Sequence, residues 1–85
     1  MKQEEVLILI PKIEKYIEYM LNVILKIPRT EKFNIGNEYK VSMYKMLANA
    51  IYINKVGNRI EYLNKIDAEL VLERIYLRLM LKTDG

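Results

Sequence analysis

The side chains best suited to chemistry in this 85-residue chain are cations. Arg29 and Lys32 fall in a short stretch opened by Pro28, where apolar Phe33 and Ile35 would brace a loop that presents them. Guanidinium and ammonium groups held this way can donate charge-assisted hydrogen bonds to phosphate oxygens. Arg74 and Arg78 stand four residues apart and therefore share a helix face, so a polyanion could touch both, with Lys82 a further four residues along. Each has an ordinary alternative. Arg29 could pair with Glu31 or Glu38, and the acids at Asp67, Glu69 and Glu73 could engage Arg74 and Arg78 in surface ion pairs of small worth.

Catalytic alternatives are few. The chain has no cysteine and no histidine, which removes the thiolate nucleophile, cysteine-based zinc sites and the proton shuttle that works near neutral pH. Glu4-Glu5 and the scattered acids of the third periodic stretch form no metal or acid-base constellation and read as solvated faces. An enzyme is not expected, nor is a cofactor, a metal or a small-molecule substrate. Seven tyrosines, at 16, 19, 39, 44, 52, 62 and 76, could stack on unpaired bases, but their spread over the whole chain fits packing at helix borders and subunit contacts better. The methionines at 20, 43, 46 and 80 read as adaptable core filling.

The elements that must position these residues are helices. Two prolines and three glycines divide the chain into three long stretches with apolar residues at intervals of three and four, predicting helices over about 11–27, 35–54 and 58–82. Residues 1–10 are expected to form an extended arm ahead of Pro11, which opens the first helix, and 83–85 form a tail. Ile13, Ile17, Met20, Leu21, Ile24 and Leu25 supply the inner stripe of helix one. Tyr39, Met43, Met46, Leu47, Ala50, Ile51 and Ile53 supply that of helix two, with Asn34 as its cap and Gly36 permitting close backbone approach. Gly57 ends that helix, and Asn58 with Glu61 has capping-box spacing for the third. The fold is thus one all-α domain, an antiparallel up-down bundle. A helix-turn-helix around Lys55 to Asn58 does not fit, because the preceding helix is too long.

Helix three carries two apolar tracks, Leu63, Ile66, Leu70, Leu77 and Leu81 in one and Ala68, Leu72, Ile75 and Leu79 in the other. Two companion helices cannot cover both, so the pattern predicts self-association or a further helix. The longest apolar run, Val6 to Ile10, is far too short to cross a bilayer, and its flanking Glu4, Glu5, Pro11 and Lys12 do not resemble a signal peptide. A cytoplasmic protein is expected. The net charge of +3 permits a polyanionic partner without demanding one.

At KIPRTEKFNIGNE, Lys26 to Glu38, the sequence resembles the small four-helix-bundle family that includes the accessory variability determinant of diversity-generating retroelements, with the 23S rRNA intervening-sequence proteins as relatives. The likeness lies in Pro28-Arg29 closing helix one, Phe33 following, and Ile35-Gly36 opening helix two. IPKIEKYIEYMLNVI and LNKIDAELVLERIYLRLM resemble the family's first and third helices, the latter with its arginines four apart. The resemblance implies a homo-oligomer, as five-fold barrels with a basic surface that binds RNA or DNA, and a partnership with a reverse transcriptase. Five copies at +3 each would carry about +15 on one particle, a substantial field for a nucleic acid. The alternative it implies is a structural bundle of the intervening-sequence type with no nucleic-acid role. Family members continue into a fourth helix, whereas the sequence stops at Lys82-Thr83-Asp84-Gly85, so the core is expected to be completed by another subunit or by residues beyond the fragment.

Overall fold

The computed structural model describes residues 3–27, 31–56 and 59–82, with side chains described for 8–27, 34–53, 55 and 59–81. Three helices make up these residues: α1 (Gln3–Leu25), α2 (Glu31–Val56) and α3 (Arg59–Lys82). They run antiparallel, with α2 packed against both α1 and α3, while the backbones of α1 and α3 stay apart. The result is an elongated body of 44 × 20 × 14 Å.

Helix α1 departs from expectation at its start. Residues 3–10 are helical and continue through Pro11, so no extended arm is formed. A proline inside a helix removes one hydrogen bond to the carbonyl four residues back, that of Leu7, and its ring crowds that turn. Leu9 and Ile10 pack against the same core as Ile13 and Ile17, and their burial offsets the lost bond. The far end tightens as expected of a terminus, with Lys26 N–H bonding to the Val23 carbonyl and Ile27 N–H to the Ile24 carbonyl, both at 3.1 Å.

Helix α2 also starts earlier than the periodicity suggested, at Glu31, an acid that suits the positive end of the helix dipole. Asn34 therefore lies within the helix, exposed, and is not its cap. Gly36 is buried and Ile35 packs on the core. Lys32 belongs to the first turn of α2, so the loop predicted to carry it is largely helix. Gly57 and Asn58, with the capping roles assigned to them, lie outside the described residues.

The core is built from Ile13, Ile17, Met20, Ile24 and Ile27 of α1, from Tyr39, Met43, Met46, Ala50 and Ile53 of α2, and from Ile66 and Met80 of α3. Four methionines of five therefore serve as core filling. Leu25 and Ile51, assigned to inner stripes, are instead exposed, each lying at the edge of an arc centred on its buried neighbours. On α3 the first track is only half-covered, with Leu63, Leu70 and Leu77 packed against the core and Leu81 exposed. The second track, Ala68, Leu72, Ile75 and Leu79, is open to solvent along its length. Two helices do not cover the third.

Candidate nucleic-acid interface

Arg74 and Arg78 emerge from one side of α3, both exposed, and line an open groove of about 500 Å³ together with Val71, Ile75 and Leu77. Neither makes an ion pair with a described residue; the pair among described residues is Lys65 with Glu61, 3.6 Å apart along α3. Two of the three acids expected to compete for these arginines are turned elsewhere, and the third, Asp67, is exposed. Glu73 is fully buried and Glu69 faces α2, where both are held by hydroxyl groups. Arg29 lies outside the described residues, and the side chains of Lys32 and Lys82 do too.

A second cationic face was legible as periodicity but was not read as a site. Lys12, Lys15, Asn22 and Lys26 lie along the outward arc of α1 with Tyr19 among them, all exposed. Tyr19 is 67% exposed, so it does not pack between the helices of its own protomer. The Asn22 amide donates to the Glu18 carbonyl at 3.2 Å, an intrahelical bond that leaves the lysines unengaged. Between α2 and α3 a third surface, an open groove of about 470 Å³, is lined by Lys45, Asn49, Tyr52, Lys65 and Glu69 among others. Beside it the rings of Tyr52 and Tyr62 stack at 5.6 Å between centroids, and the Lys65 ammonium sits 4.8 Å over the Tyr62 ring.

Inside the bundle lies a polar cluster that the sequence reading missed. Tyr16 of α1 donates to Glu73 Oε1 at 2.8 Å, and the Tyr16 and Tyr39 hydroxyls lie 2.5 Å apart. Ser42 Oγ lies 2.6 Å from Glu73 Oε2 and 2.7 Å from Glu69 Oε1. Glu73 is 0% exposed, which corrects its assignment to a solvated face. The signal was present: Ile66, Glu73 and Met80 repeat every seven residues, so Glu73 occupies the middle of the buried stripe of α3 among the described residues. Burial pushes the Glu73 carboxyl above the usual range, countered in part by the Ser42 and Tyr16 hydrogen bonds and reinforced by Glu69. It also raises both phenols, Tyr16 most strongly. Every buried side-chain polar atom among the described residues has a partner, so the cluster reads as a tie between helices.

No group of three or more side chains that could hold a metal ion occurs among the described residues. No helix of the described residues is long and apolar enough to cross a membrane. No curated protein and no solved structure matches the sequence. The model of the bAvd-like family, however, matches residues 7–84, nearly the whole chain, and the protein belongs to that family.

Proposed function

We propose that the protein is an oligomeric accessory factor of a diversity-generating retroelement, binding nucleic acid and partnering a reverse transcriptase through its basic outer surface. Membership of the bAvd-like family supports the setting, and that family is one of non-catalytic accessory bundles. The observation that carries the nucleic-acid reading is the pair Arg74 and Arg78, exposed side by side on α3 and paired with none of the acids among the described residues. Arg29, Lys32 and Lys82 complete the proposed contact set, and Lys12, Lys15 and Lys26 extend the cationic surface along α1. Cations at such positions release counterions when they meet phosphates, and the open Ala68, Leu72, Ile75 and Leu79 track supports assembly of several copies whose charges add.

The same apolar track favours a second reading, a structural module of the intervening-sequence type that assembles without binding nucleic acid. Sizing with light scattering, followed by RNA titration at two salt concentrations, separates the two. The first reading expects an oligomer whose affinity falls steeply with salt, and expects R74A/R78A to lower the log-log salt slope by about 2. Salt-insensitive binding, a monomer that ignores RNA, or an oligomer that ignores RNA would each remove it, the last in favour of the structural module.

A further inference from the structure

We propose that the folded protein keeps one proton on Glu73, closing a one-way hydrogen-bond chain from Tyr39 through Tyr16, Glu73 and Ser42 to Glu69, and that ionising Glu73 takes the Ser42 donor from Glu69 and so weakens the tie between α2 and α3.

The argument is a count of hydrogens. Ser42 Oγ carries a single hydrogen, yet it stands at hydrogen-bond distance from two carboxyl oxygens, Glu73 Oε2 at 2.6 Å and Glu69 Oε1 at 2.7 Å. If both acids were ionised, one of those short contacts would set a carboxylate against a hydroxyl lone pair. One carboxyl must therefore donate. On the other side Tyr16 already donates to Glu73 Oε1, so Tyr39 must be the donor in the contact between the two phenols. A proton on Glu73 Oε2 satisfies each of these short side-chain contacts in one direction, leaving Ser42 Oγ only a longer approach of 3.4 Å to the Glu69 carbonyl: Tyr39 donates to Tyr16, Tyr16 to Glu73, Glu73 to Ser42, and Ser42 to Glu69.

Burial decides which acid holds the proton. Glu73 is 0% exposed, whereas Glu69 is half-buried and borders the outer groove with Lys45 and Lys65, so a proton on Glu73 relieves the larger desolvation cost. The titratable groups that face Glu73 are Tyr16 from α1, Tyr39 from α2 and Glu69 from its own helix, and no described lysine or arginine makes an ion pair with it. Because the backbones of α1 and α3 stay apart, the Tyr16–Glu73 contact is the polar tie across that gap among the described residues. When Glu73 ionises, its proton leaves toward water past Ser42 and Glu69. The Ser42 hydroxyl then turns to Glu73, and Glu69 loses its donor beside a second negative charge.

A carboxyl that is harder to ionise in the folded state binds more protons folded than unfolded. Stability is then full below the ordinary carboxyl range, falls as pH rises above about 4.3, and levels off once the folded group has ionised. Urea unfolding of the whole chain between pH 4 and 9, at fixed protein concentration, tests this on the wild type, Glu73→Gln and Glu69→Gln. Glutamine reproduces the neutral acid, accepting from Tyr16 and donating to Ser42. The wild-type unfolding constant is expected to rise with pH by up to about tenfold per unit within the window, relative to Glu73→Gln, in which that component disappears. Above the window Glu73→Gln should equal or exceed the wild type, and Glu69→Gln should keep the wild-type component. If Glu73→Gln is weaker at every pH and leaves the pH dependence intact, Glu73 is an ordinary buried carboxylate and the proposal fails. It fails equally if Glu69→Gln is the variant that removes the dependence. Carboxyl carbon NMR of the wild type provides a reading without substitutions: Glu73 must still be in the protonated position above the ordinary carboxyl value of about 4.3, and a Glu73 resonance already in the ionised position there would overturn the assignment.

Discussion

The most consequential residues in the bundle are small in number and mostly polar. Ser42 bridges two acids of α3, so Ser42→Ala removes donors and acceptors from both at once and should destabilise the fold by about 1–3 kcal/mol, measured by urea denaturation. Tyr16 sits in the middle of the chain of hydroxyls and Tyr39 at its end. Tyr16→Phe should therefore be the more damaging substitution, because it strips Glu73 of a donor and Tyr39 of an acceptor, while Tyr39→Phe removes a single donor. Both phenols are held above their ordinary pKa of 10.0, chiefly by burial, so the folded protein binds more protons than the unfolded chain in alkali. Stability should fall as pH rises past about 10, and Tyr16→Phe should flatten part of that fall in a thermal-melt series. By contrast Met43, fully buried with apolar neighbours, answers only to volume, and Met43→Ala should cost about 2–5 kcal/mol.

For single elements, the informative segment is the beginning of α1. Proline ahead of an amphipathic stretch is a sound starting signal, and it led to an arm over residues 1–10; the helix instead runs from Gln3 because Leu9 and Ile10 continue the buried stripe on the other side of the proline. Local geometry and packing compete at that point, and packing wins. Since Pro11 is exposed and its ring contributes little to the core, Pro11→Ala should restore the missing bond and raise stability by up to about 3 kcal/mol, seen as a higher urea midpoint. A lower midpoint would mean that the proline itself is needed. The inner stripes of α1 and α2 were legible residue by residue because a 3.6-residue period is a local property. The two stripe-edge errors, Leu25 and Ile51, arose where the period alone cannot say how wide an arc the neighbour covers.

The molecule as a whole is an open arrangement in which α3, among the described residues, gives Ile66, Met80 and Glu73 to the buried interior and leaves Leu72, Ile75 and Leu79 exposed. Replacing those three with lysine should leave the protomer folded, since all three are exposed and a lysine stem can cover the same surface with its ammonium in water, and should shift sizing and light scattering toward a smaller species if the track is where copies meet. Unchanged mass would place self-association elsewhere.

Periodicity and punctuation determined the number of helices, their order, most of the core and the surplus of apolar surface on α3, all of which depend on spacing along one chain. The same spacing placed Arg74 and Arg78 on a shared face. Only the tertiary structure decided that Glu69 and Glu73 turn away from those arginines, that Tyr16, Tyr39 and Ser42 from two other helices meet Glu73, and that Tyr19 stands in solvent. The physical reason is range. A helical period reports which side of its own axis a residue occupies, whereas the protonation, exposure and partners of a side chain depend on what a different helix brings to within about 3 Å of it.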